Sequence, residues 1–282
     1  MDDREAESLH WYRQWKQELR MKRDDDLRGT QGAPDLSVVE ALLDVELSTG
    51  FRALWNVCVP ELTPPFTLSI CERGGELGAC RSHPDGYEDH GWILEIEIRA
   101  VESGLFEHVL AHEVMHLVLY WAGFPGILVD AEEDDERAEV AHRINSVIQH
   151  PIITLRLAAV WDVKASGLMV QRQIDEDLRN VRGWADESAE DEVGRNGHVL
   201  SYVLSRLDCG DTVAEALAER WPEVGVQGDE VLEGLREYGF RTPVGEWAAD
   251  LTPEQALGAG RWLVKRFGIE NIAECKMLYE RV

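Results

Sequence analysis

The chain has 282 residues and a formal net charge of -26, with 28 lysines and arginines against 54 aspartates and glutamates. Such an acidic surface argues against binding to nucleic acid or to an anionic membrane, because contacts with phosphate need a basic patch. It favours neutral or basic protein partners. No apolar run approaches the roughly 20 residues of a membrane span, and the acidic start of the chain is unlike a secretory signal. We therefore expect a cytoplasmic protein.

The pattern divides the chain into three regions: residues 1–35, 36–151 and 152–282. The first is a charged arm in which Trp11 and Trp15, four residues apart, favour docking on the body or on a partner. The second contains short strands and the motif described below. The third is mainly helical by pattern, and no feature of it indicates what it recognises.

Five cysteines are odd in number and contain no C-x-x-C pair. This favours reduced thiols over a disulfide framework or a zinc ribbon. Cys71 and Cys80 could face each other across a hairpin, so a disulfide between them is the alternative.

Short strands are predicted near residues 66–71 and 77–81, followed by a loop at 82–91. The loop contains His83 and His90 beside several acids. It is either a solvated hairpin loop or a second metal site.

Residues 92–99 are predicted to form the next strand, because apolar Leu94, Ile96 and Ile98 alternate with a more polar set. A strand with one polar face is typical of the edge of an antiparallel sheet. The alternative is a purely structural strand.

The stretch from Ala111 to Leu117 contains the motif H-E-x-x-H, formed by His112, Glu113 and His116. Helical positions four apart lie on one face, so both imidazoles can reach one metal ion. The carboxylate can then take a proton from an activated water. Apolar residues surround the motif on every side of the predicted helix, which indicates a buried helix. The sequence Gly-Phe-Pro-Gly at residues 123–126 predicts a sharp end to that helix. A metal ion would offset the cost of burying these polar groups, whereas two hydrogen-bonded structural histidines are the alternative.

A catalytic zinc needs a third protein ligand and an open position. The residues after His116 contain no further histidine at metzincin spacing, so we expect a carboxylate on a second helix, predicted to run from about residue 131 to 149 and to end at Pro151. Glu136 lies on the apolar stripe of that helix and is the first choice. Glu133, one turn earlier, and Glu139, on the polar face, are the alternatives.

A strand followed by an H-E-x-x-H helix resembles the zincin metalloproteases. The resemblance implies that an extended peptide substrate pairs with the strand at 92–99. Residues 92–151 are similar to the ImmA/IrrE-like family of intracellular bacterial gluzincins, because residues 136–144 match the spacing of that family's second motif. The chain departs from the family at Met115, where glycine is usual, and at residues 136–138, where Glu-Ala-Asn is usual. The resemblance implies zinc, peptide-bond hydrolysis and a bacterial or phage regulatory setting.

The resemblance also implies an α+β fold. A zincin-like core would pack a small antiparallel or mixed sheet on the H-E-x-x-H helix, with a mainly helical C-terminal region completing the cleft. Gluzincins often place the oxyanion donor in the C-terminal half, where Tyr202 and His198 are candidates. Glu113 would be the catalytic base. The enzyme would hydrolyse peptide bonds in a restricted set of protein or peptide targets. Two alternatives remain: a non-proteolytic zinc module, and a metal-dependent hydrolase of non-peptide amides.

Overall fold

The computed structural model describes residues 35–59, 62, 66–72, 77–82, 91–130, 136–159, 166–184, 191–209, 211–242 and 247–278. The fold is mixed α+β and mostly helical, with two small sheets. Its contacts define two compact units, which meet in sequence between Val114 and Met115. The predicted N-terminal arm and the loop containing His83 and His90 lie outside the described residues. Within the described residues, no helix is both long enough and apolar enough to cross a bilayer.

The first unit begins with helices α1 (Leu36–Leu43) and α2 (Thr49–Cys58). Asp35 caps α1 and Ser48 caps α2, each by accepting a hydrogen bond from a backbone N–H of the first turn. The Ser48 hydroxyl also donates to Glu107 at 2.6 Å. This contact ties the start of α2 to the helix that contains the histidine motif.

Three strands form the sheet of this unit: β1 (Phe66–Cys71), β2 (Gly78–Ser82) and β3 (Trp92–Glu97). Their order is β1-β3-β2, with β1 parallel and β2 antiparallel to β3. The predicted strand positions and the mixed sheet are confirmed. The prediction that the strand at 92–99 is an edge was wrong, because β3 is hydrogen-bonded to β1 on one side and to β2 on the other. A polar face shows which side chains meet solvent, whereas an edge is defined by unpaired backbone groups.

Strand β3 keeps the predicted inner face, since Leu94 and Ile96 are completely buried. The strand ends earlier than expected, and Ile98 begins a short helix, α3 (Ile98–Glu102). The alternative disulfide between Cys71 and Cys80 does not form, because β3 lies between the strands that carry them.

Helix α4 (Phe106–Trp121) contains the H-E-x-x-H motif. It ends where the sequence predicted, at Gly123, whose φ of 85° is left-handed and suits glycine. The backbone N–H of Phe124 donates to the Leu119 carbonyl at 2.8 Å across this turn. The chain then enters strand β4 (Pro125–Val129).

The second unit is built around helix α5 (Glu136–Ala159), which packs against α7, α11 and β4. The remaining elements are α6 (Ser166–Gly183), α7 (Glu192–Leu204), a π-helical turn (Ser205–Cys209), α8 (Asp211–Arg220), α9 (Pro222–Arg236), α10 (Trp247–Asp250), α11 (Pro253–Arg266) and β5 (Ala273–Met277). Strand β5 pairs antiparallel with β4. Apart from β5, the mainly helical character predicted for 152–282 is confirmed.

Helix α5 does not end at Pro151, contrary to prediction, and the boundary expected near residue 151 falls inside it. Proline removes one helical hydrogen bond and crowds the preceding turn, at a cost of about 3 kcal/mol. Burial of apolar side chains on both sides of Pro151 offsets that cost: Ile148, Ile152 and Ile153 are completely buried and Leu157 nearly so. Tertiary packing therefore overrides the local stop signal.

Candidate metal centre

Helix α4 is buried around its circumference, as predicted. Leu110, Ala111 and Val114 have no exposed surface. In the same helix, Glu113 is 5% exposed and His116 is 7% exposed, while His112 is half-buried. The motif therefore lies in an apolar environment, and His112 retains some access to solvent.

The structure brings a third histidine to the pair. One ligand atom from each of His112, His116 and His150 lies within 4.8 Å of the other two. The rings of His116 and His150 have centroids 5.4 Å apart. His150 is half-buried and lies on α5, directly before the proline that the sequence pattern took as the end of the helix.

His116 and His150 are neutral near pH 7. Burial lowers the pKa of His116 from 6.5 to about 4. Burial, followed by the neighbouring His116 ring, lowers the pKa of His150 from 6.5 to about 3. A metal ion binds only an unprotonated imidazole nitrogen, so both rings keep a lone pair for a metal across the physiological range.

The glutamate predicted as third ligand lies elsewhere. Glu136 is the first residue of α5 and is exposed, about four helical turns from His150. Glu139 is also exposed and forms an ion pair with Arg143 at 3.0 Å. Glu133 and the acidic run around it lie outside the described residues. The predicted apolar stripe is real, since Ile144 on it is completely buried, but the structure does not bring Glu136 to the histidine group.

Glu113 lies against strand β2. A Cβ atom at Gly78 would come within 2.7 Å of Glu113 Oε1 and 2.5 Å of a Val109 methyl. Only glycine allows so close an approach of strand and helix at this point. Cys80, two residues along β2, has a pKa raised well above its usual value, by burial first and then by the Glu113 charge. The glutamate of the motif is therefore held next to β2.

The two candidates for the oxyanion donor have structural roles. The Tyr202 hydroxyl donates to Asp229 Oδ1 at 2.8 Å, and its ring fills the space that a side chain at Gly228 would occupy. The ring of His198 lies 4.4 Å from those of Trp184 and Trp221, centroid to centroid. Neither residue belongs to the group of three histidines.

His108 was missed by the sequence reasoning. It lies one turn before His112 on α4, is 7% exposed, and its Nδ1 has no hydrogen-bond partner among the described residues. Burial lowers its pKa from 6.5 to about 4. The signal was present, because three histidines follow one another at intervals of four residues.

Replacing His108 with leucine should leave the free energy of unfolding at neutral pH unchanged or raise it, because an unpaired buried polar group costs about 1–3 kcal/mol. The depressed pKa means that the unfolded chain binds the proton more tightly. His108 therefore makes stability fall as the pH drops from 6.5 towards 4, and H108L should show a shallower fall. Chemical denaturation at several pH values measures both effects. His142→Gln, at an exposed position of α5, is the control. A strong loss of stability at neutral pH in H108L would contradict the conclusion that His108 is a buried group without a hydrogen-bond partner among the described residues.

The residues present fit a zinc ion. The three histidines would supply nitrogen ligands, which zinc prefers, and a set of three ligands would leave one position open, as in catalytic sites. Gln149 Oε1, completely buried, lies 2.5 Å from His116 Nδ1. Such an outer contact is typical of a metal-binding histidine.

No known protein family, curated protein or solved structure matches the chain.

Proposed function

We propose that this protein is a zinc-dependent metallopeptidase of the zincin type, acting on a restricted set of intracellular protein targets. The observation that carries the proposal is the convergence of three histidine ligand atoms within 4.8 Å, beside the glutamate of an H-E-x-x-H helix. The mixed sheet next to that helix supports the same class of protein.

In this proposal His112, His116 and His150 hold the ion. Zinc, when bound, supplies Lewis acidity that polarises a carbonyl and activates water near neutral pH. The third ligand differs from the glutamate of gluzincins. The likeness to the ImmA/IrrE-like family is therefore limited to the motif helix and the order of elements around it.

Glu113 is the proposed general base. Its carboxylate takes a proton from the attacking water and passes it to the leaving amine. Its position against Gly78 supports this role, because a carboxylate packed between a strand and a helix keeps one orientation.

Strand β2 is the proposed site for an extended peptide. Among the described strands it pairs with β3 on one side only. A peptide could add as a further strand through backbone hydrogen bonds. This role was first expected of the strand at 92–99, which is central and has no free edge.

A second candidate function is a non-proteolytic zinc module, and the deep burial of Glu113 favours it. A carboxylate with 5% exposure resembles a structural group more than one that meets substrate. The half-buried positions of His112 and His150 favour catalysis instead, since they leave one side of the group accessible.

Zinc-loaded protein should cleave one or a few basic proteins and should leave casein largely intact. The charge of -26 attracts basic segments and repels acidic ones. The rate on a basic target should fall as salt rises, because screening shortens the reach of the field to about 8 Å at physiological ionic strength. Mass spectrometry of products from a native protein extract, with a chelator-treated sample as control, measures this. Efficient digestion of casein that does not depend on salt would overturn the proposal of restricted targets.

A further inference from the structure

Gln149 joins the metal centre to strand β4. Its side chain is completely buried between the His116 ring and the backbone of the strand. Its Nε2 donates to the Pro125 carbonyl at 2.7 Å, and its Oε1 lies 2.5 Å from His116 Nδ1. One amide therefore makes two contacts, one with the ring and one with the strand.

These contacts determine which His116 nitrogen has the proton. The Pro125 carbonyl can only accept a hydrogen bond, so the amide NH2 of Gln149 must face it. The amide oxygen must then face His116, and an oxygen acceptor requires a proton on Nδ1. A neutral imidazole has one N–H, so the lone pair lies on Nε2.

We infer that Gln149 is a positioning residue, which holds His116 in the Nδ1–H tautomer and turns its Nε2 towards the metal position. The inference rests on the proposed metal site for its purpose. The tautomer itself, however, is a property of the metal-free chain and can be observed without zinc.

A second amide side chain on α5, that of Asn145, holds strand β4. The same strand contains the Pro125 carbonyl that orients the Gln149 amide. Asn145, one turn earlier, accepts a hydrogen bond from the Ile127 backbone N–H at 3.3 Å. Strand β4 is paired along its length with β5. The Pro125 carbonyl is therefore fixed from two directions, and Gln149 cannot reverse its amide without leaving a buried donor or acceptor unpaired.

The first test is the tautomer in the metal-free protein. Nitrogen-15 NMR of histidine-labelled chain at neutral pH, with the signal assigned by its loss in His116→Gln, should show Nδ1 protonated. In Gln149→Leu that acceptor is gone, and the spectrum should move towards the Nε2–H form or a mixture. Asn145→Leu is the matched control, since it loosens the same strand but does not contact His116, and it should keep the wild-type tautomer.

The second test is zinc affinity measured by competition with a chelating dye. Gln149→Leu should bind zinc roughly 10- to 100-fold more weakly, the usual effect of removing such an outer partner. Asn145→Leu should change affinity much less. A wild-type chain with the Nε2–H tautomer would overturn the inference, even if Gln149→Leu failed to fold. A chain with the Nδ1–H tautomer that binds no zinc would leave the inference standing and refute the proposed function.

Discussion

Replacing His150 with alanine should weaken zinc binding by about 100-fold or more. Zinc sites with four protein ligands are worth about 10–16 kcal/mol, so one ligand contributes about 3 kcal/mol, and each 1.4 kcal/mol is about tenfold in affinity. His112→Ala and His116→Ala should have effects of the same size, and the wild-type chain should carry about one zinc. Metal content after dialysis, followed by competition with a chelating dye, measures the loss.

Glu136→Ala is the matched control on the same helix. Its side chain is exposed about four turns from His150, so zinc affinity should not change. Circular dichroism would show whether each variant remains folded. If Glu136→Ala lost more zinc than His150→Ala, the third ligand would be the glutamate that the sequence pattern predicted. Full retention of zinc in the His112→Ala/His116→Ala double variant would refute the metal site altogether.

Replacing Glu113 with glutamine should preserve zinc binding and lower the turnover of a cleaved target by about 100- to 10,000-fold, the usual contribution of a general base. Glutamine has nearly the same shape as glutamate, so the packing against Gly78 should survive. It cannot accept the proton of water. Turnover and bound metal should be measured on the same preparation, so that loss of activity cannot be attributed to loss of zinc.

Glu139→Gln, a charge change at an exposed position of α5, is the control and should keep full turnover. If Glu113→Gln cleaved the target as fast as the wild-type chain, Glu113 would not be the base. If the zinc-loaded wild-type chain produced no cleaved product from any extract, the non-proteolytic zinc module would become the better explanation.

The sequence alone was sufficient for features that follow from the period of a single helix or strand. The spacing of His112 and His116 places both on one face of α4, because the helical period is a property of the backbone. The burial of that helix followed from apolar residues on all its sides, and its end followed from Gly123. The strands predicted near 66–71 and 77–81 and at 92–99 form within two residues of those bounds, and alternation identified the buried face of the last one.

Relations between elements were decided by the tertiary structure. Glu136 and His150 lie on similar faces of α5, so periodicity could select the face of the third ligand but not its level along the helix. The position of the ligand along the helix depends on how α5 packs. Pro151 concealed this position, because it suggested that the helix ends before His150 could contribute. The order β1-β3-β2 likewise depends on backbone pairing, which the polarity of one strand does not encode. The Gln149 contact needs a helix, a strand and a second helix in place at once. Only the packed chain could reveal it, because each of those three positions is set by contacts distant in sequence.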